Sequence, residues 1–107
     1  MNIGQTIFEQ LGGNRFTMMT GAKEFVTFAN GIRFKLGRNA INCNRVTITL
    51  NDHDLYDIRF SRFLMPRLTL DILDAQPIDR ELVLIENVDV SNLAKSFTDV
   101  TGLLTFL

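Results

Sequence analysis

The chain has 107 residues and a formal net charge of −1. That length suits a single domain spanning residues 1–107 and leaves no room for two. Apolar residues make up 46% of it, which argues against a disordered chain, and the near-neutral balance lacks the overall basic excess of a protein that coats nucleic acid while leaving a local basic face open.

Residues 3–11 read as a short helix, because Ile3, Ile7 and Leu11 recur every four residues and share a face. Gly12-Gly13 then stops it. Phe16 to Met19 reads as a first short strand, ended by Thr20-Gly21. Residues 24–36 form a hairpin around Ala29-Asn30-Gly31, with two possible registers. A two-residue turn pairs Ala29 with Ile32 and sends Val26 and Phe28 to the face of Arg33 and Lys35. A three-residue turn with Gly31 left-handed pairs Phe28 with Ile32 and Val26 with Phe34. A fully buried Phe or Val contributes about 1.5–3 kcal/mol, so the second register is expected. It leaves Phe25 beside the basic row.

A loop of residues 37–44 precedes a second hairpin. There a five-residue loop at 51–55 opposes Leu50 to Tyr56, Ile48 to Ile58 and Val46 to Phe60. A one-residue slip would turn every side chain over, so this register is strongly preferred. The polar face then carries Arg45, Thr47, Thr49, Asp57 and Arg59.

Met65-Pro66 interrupts the pattern, since proline cannot donate to a ladder. Leu68 to Leu73 and Leu82 to Ile85 are read as two more strands, joined by a loop at 74–79. Their alternation is less clean, which suits strands buried on both faces or lying against a partner. Residues 91–101 form a second helix, with Ser91 as N-cap and Asp89 as the competing cap. Leu93, Phe97 and Val100 line one face, Gly102 closes the helix, and the apolar tail 103–107 is expected on the core or as an edge strand. The expected fold is α+β: an antiparallel sheet of about five to six strands, with an N-terminal and a C-terminal helix packed on one face.

Three blocks of the chain go together. They are Phe8 to Phe16 (FEQLGGNRF) followed by Met19 to Lys23 (MTGAK), Asp54-Leu55-Tyr56-Asp57, and Thr98 to Leu103 (TDVTGL). In this order they resemble a group of small proteins encoded by bacteriophages and other mobile elements. Leu104 stands where the last block would carry an aromatic residue. The resemblance implies a phage-type origin and supplies no catalytic residues to carry over.

The polar sheet face is the best functional candidate. Arg33, Lys35, Arg45 and Arg59 should project from adjacent strands, with Phe25 near them. Basic residues with an interleaved aromatic can hold a phosphate backbone and stack a base. The plainer reading is a solvated sheet face with Asp57 and other acids balancing it.

Asn51-Asp52-His53-Asp54, with Asp57 following, lacks the glycine and distal glutamate of a calcium loop and reads as a turn. Cys43, the only cysteine, cannot form an intramolecular disulfide, which fits a reducing compartment. No motif pairs it with His53, the only histidine. Gly12-Gly13 with Arg15 follows a helix instead of opening one, so it is not a phosphate loop. Met18-Met19 reads as packing, and Glu81 and Glu86 fall on opposite faces of a strand.

No catalytic residue, metal ligand or cofactor is therefore expected. The expected function is that of a non-catalytic, phage-type accessory protein binding nucleic acid. Arg33, Lys35, Arg45 and Arg59 would meet phosphates and Phe25 would stack. The alternative is a protein–protein interaction module that binds or inhibits a host or phage protein, through an edge strand or as a homodimer. The chain shows no signal-peptide pattern and no apolar run near the ~20 residues of a membrane span, so the host cytoplasm is the expected location.

Overall fold

A computed structural model of the protein describes residues 2–65 and 77–105. Helix α1 spans Ile3–Leu11, as the four-residue spacing predicts. The Asn2 side chain accepts from the Gln5 N–H at 2.7 Å, satisfying a donor that the first turn cannot pair internally. Gly12 ends the helix at φ 130°, a region closed to most side chains.

The next element corrects the expectation of a strand over Phe16–Met19. It is a second helix, α2, Asn14–Thr20. Phe16 and Thr20, four apart, are buried on one side, while Met18 is exposed. The Thr20 hydroxyl donates to the Phe16 carbonyl at 2.7 Å, and left-handed Gly21 caps the end. Four apolar or small residues carry no decisive period, so tertiary burial decides between helix and strand.

Five strands follow: β1 (Lys23–Phe28), β2 (Gly31–Lys35), β3 (Arg45–Leu50), β4 (Tyr56–Leu64) and β5 (Ile78–Val88). They form one antiparallel meander in chain order. The β3–β4 register is the predicted one, with Leu50 opposite Tyr56, Ile48 opposite Ile58 and Val46 opposite Phe60. The β1–β2 register is not. Phe28 pairs with Gly31, Thr27 with Ile32 and Val26 with Arg33, around a two-residue turn at Ala29-Asn30. None of Ala29, Asn30 and Gly31 has a positive φ. Phe25 alternates with Val26 and so faces the core with Thr27, while a bulge between Lys23 and Val26, with Glu24 at φ 55°, brings Lys23 to the side of Val26.

β5 extends well beyond the predicted Leu82–Ile85 and takes in Ile78 and Asp79, which were assigned to a loop. The predicted strand over Leu68–Leu73 lies outside the described residues. Asp89, the competing cap, wins at the last helix. It accepts from the Ser91 N–H at 3.0 Å and starts a 3₁₀ turn, Val90–Asn92, that runs into α3 (Leu93–Thr101). Gly102, at φ 74°, closes α3. Leu103 packs on the core, Leu104 is exposed and Thr105 is buried, with no edge strand through Thr105.

Both terminal helices cover one face of the sheet. Phe97 of α3 lies 6.3 Å from the Phe34 ring and 6.4 Å from Phe60, and Phe16 of α2 meets Phe97 at 5.1 Å. α1 sits so close to the first hairpin that a Cβ on Gly4 would fall 2.5 Å from the Gly31 carbonyl oxygen and 2.7 Å from the Thr27 methyl. Among the described residues no helix is long and apolar enough to cross a membrane.

Candidate nucleic-acid interface

The side of the sheet away from the helices carries two cross-strand rows. One runs Val26, Arg33, Thr47, Arg59, Leu84; the next runs Lys23, Lys35, Arg45, Ser61, Glu81. Residues directly opposite across antiparallel strands share a face. Arg33, Lys35, Arg45 and Arg59 therefore emerge together, as their alternation with Ile32, Phe34, Val46, Ile58 and Phe60 requires. Phe25 does not join them, which corrects the expectation that it stacks beside the basic row. Its ring packs edge-on against Phe8 at 5.0 Å and lies 5.2 Å from Phe34, on the helix side.

The four cations are held differently. Arg59 is clamped between Asp79, at 2.8 Å from Nη1, and Glu81, at 3.0 Å from Nε. Burial alone would raise the Asp79 pKa. The hydrogen bond from Arg59 and the charges of Arg59 and Arg45 outweigh it, so the carboxyl titrates below its ordinary value. Burial would likewise lower the Arg59 pKa, and the two carboxylates hold it above its ordinary value instead. Lys35 pairs with Glu24 at 2.7 Å in open solvent, and its hydrogen bond and charge lower the Glu24 pKa.

Arg33 and Arg45 form no ion pair among the described residues. Burial first, then the like charge of Arg33, pulls the Arg45 pKa down, with Asp79 opposing. The Arg45 guanidinium lies over the Phe63 ring, 3.8 Å from its centroid. Such a contact orients the guanidinium and attracts it to the negative face of the ring. A cavity of about 270 Å³, lined by Glu24, Val26, Arg33, Phe34, Lys35 and Arg45, adjoins this pair.

Charge divides this face in two. β1 to β3 carry Lys23, Arg33, Lys35 and Arg45 against Glu24, whereas β4 and β5 carry Asp57, Asp79 and Glu81 against Arg59. Sequence reasoning missed three residues of this surface. Lys23 precedes the bulge and escaped the alternation. Phe28 reaches the wet face through the two-residue turn. Phe63 continues the period of two from Arg59 and Ser61, a signal that was present and not followed.

The other candidates have structural roles. The Asn51 side chain accepts from the N–H groups of His53 and Leu55, at 2.8 and 3.2 Å, and donates to Asp57 and Asn87, at 3.0 and 2.9 Å. It holds the 51–55 loop as an Asx turn. Cys43 is buried and its Sγ lies 3.5 Å from Asn39 Oδ1. Burial pushes the thiol up, opposite to what a nucleophile needs. On β5, an extra residue opposite Phe60–Ser61 and another near Asn87, at φ 59°, bend an edge that would otherwise invite strand addition. No family model, curated protein or solved structure matches the chain.

Proposed function

We propose that this is a non-catalytic accessory protein of phage type that binds nucleic acid across the basic half of the wet sheet face, in the cytoplasm of a host cell. One observation carries the reading. Arg33 and Arg45 sit on adjacent strands, unpaired among the described residues, with Lys23 and Lys35 beside them. Two neighbouring guanidiniums repel each other, and a phosphate between them relieves that repulsion. The Lys35–Glu24 pair is exposed, so exchanging Glu24 for a phosphate costs about 1 kcal/mol or less. Arg59, already saturated by two carboxylates, positions the acidic half and meets no phosphate.

The test is oligonucleotide binding at two or more salt concentrations. Affinity should fall steeply with salt, because each phosphate contact releases counterions. Arg33→Ala with Arg45→Ala should weaken binding and flatten the logarithmic salt slope by about 1.4 to 1.8. No binding at low salt, or binding indifferent to the double variant, ends this reading.

A second reading, a protein partner, is favoured by the far end of the β4–β5 ribbon. Leu64, Met65 and Ile78 gather there, 46%, 68% and 57% exposed. Recovery of a stoichiometric protein that Leu64→Ser with Ile78→Ser releases would support it.

A further inference from the structure

Resting on the nucleic-acid reading, we infer that the ligand is a single strand, one of whose bases stacks on the Arg45 guanidinium above Phe63. Three observations carry this.

The first is the width of the basic area. Neighbouring strands lie about 4.8 Å apart, and the two backbones bordering a duplex major groove lie about 12 Å apart. A duplex whose first backbone follows β2 therefore sets its second over β4 and β5, where Asp79 and Glu81 stand. Across a major groove, one backbone fits the basic half and two do not.

The second is the layered pair itself. The Arg45 Cζ lies over the Phe63 ring, 3.8 Å from its centroid. Arg45 also lines the cavity of about 270 Å³ with Val26, Arg33 and Lys35. That volume is just under the roughly 300 Å³ at which pockets for drug-sized ligands begin, so it suits one base and not a larger group. Arginine planes and aromatic rings both accept unstacked bases, and a duplex keeps its base faces inside its own stack. The third observation is Phe28. It is exposed on the same face at the level of Gly31 and Thr49, about 13 Å along the strands from Arg45, giving a second ring for a base further along the strand.

The experiment compares three labelled probes of one short sequence at low salt: a single strand, its blunt duplex, and a single strand with abasic sites. The single strand should bind at least about tenfold more tightly than the duplex. Abasic sites, which keep every phosphate, should weaken binding about fivefold or more, the loss of one stacked base. Phe63→Leu should weaken the intact single strand severalfold more than it weakens the abasic strand, since only the intact strand has a base to stack. Equal binding of duplex and single strand, or of the intact and abasic strands, overturns this inference and leaves the phosphate contacts standing. No binding to any probe overturns both. DNA and RNA versions of the strand decide which sugar is taken.

Discussion

The two hairpins β1–β2 and β3–β4 are built from similar apolar and polar alternation, yet only one obeys it simply. In β3–β4 every alternate residue goes to the core, and Val46, Ile48, Ile58 and Phe60 are fully buried. In β1–β2 the partner strand obeys and β1 does not. Val26 and Phe28 are 45% and 37% exposed, while Phe25 packs inward. The cause lies in the helix above. α1 approaches the hairpin through Gly4, where an added Cβ would fall 2.7 Å from the Thr27 methyl and 2.5 Å from the Gly31 carbonyl oxygen, and the short Thr27 side chain is what meets it. Thr27, not Phe28, therefore faces the core opposite Ile32. Counting buried groups within one hairpin left out the helix that packs on it.

That account predicts unequal responses. Ile48→Ala, on a residue with no exposed surface, should cost about 2–5 kcal/mol in chemical denaturation, through lost transfer energy and the cavity left behind. Phe28→Ala should cost less than about 1 kcal/mol. Equal losses would mean that Phe28 is a core residue and that the observed register is wrong. Gly4→Ala comes next. Its Cβ would fall 2.5 Å from a backbone oxygen that cannot swing aside, so overpacking should cost about 1–3 kcal/mol, against the usual gain of a helical Gly→Ala change.

The same contrast explains what was legible before any coordinates. α1 carries a full apolar stripe and a glycine stop, so its limits could be read from residue spacing. In β3–β4 the alternation of both strands agrees on one register, and with it the shared face of Arg45 and Arg59. α2 was not legible, because seven residues with two buried positions look alike in either period. The aromatic partner of the basic residues was not legible either. It depended on the β1–β2 register, which puts Phe25 inward with Thr27, and on the closeness of α1, which local pattern does not report. What separates Arg59 from Arg33 and Arg45 lies on β5, twenty residues further along, and no local pattern links Arg59 to Asp79 and Glu81.

The ion pairs sharpen the comparison at smaller scale. Arg59→Ala leaves Asp79 and Glu81 facing each other in a partly buried setting. It should destabilise by about 1–3 kcal/mol, between the values for exposed and buried pairs. Lys35→Ala removes an exposed pair and should cost about 0.5 kcal/mol or less. For the proposed nucleic-acid binding the order should reverse, because Lys35 lies in the basic half and Arg59 does not.

The smallest effect is one of pH. The Asp79 carboxyl titrates below its ordinary value of 3.8 in the folded protein, so the unfolded chain takes up that proton first as the solution is acidified. Its contribution to stability is therefore complete above pH 3.8 and disappears as the pH falls toward the depressed folded value. With 36% of the side chain exposed, solvent screening keeps this below about 1 kcal/mol. Asp79→Asn should flatten the acid limb of stability against pH in that window. Glu24→Gln should do the same only at low ionic strength, since the Glu24–Lys35 pair stands in open solvent where salt screens it. If added salt erased the Asp79 effect as readily, the clamp on Arg59 would be as loose as the pair on β1, and the acidic half of the face would be free to rearrange around a ligand.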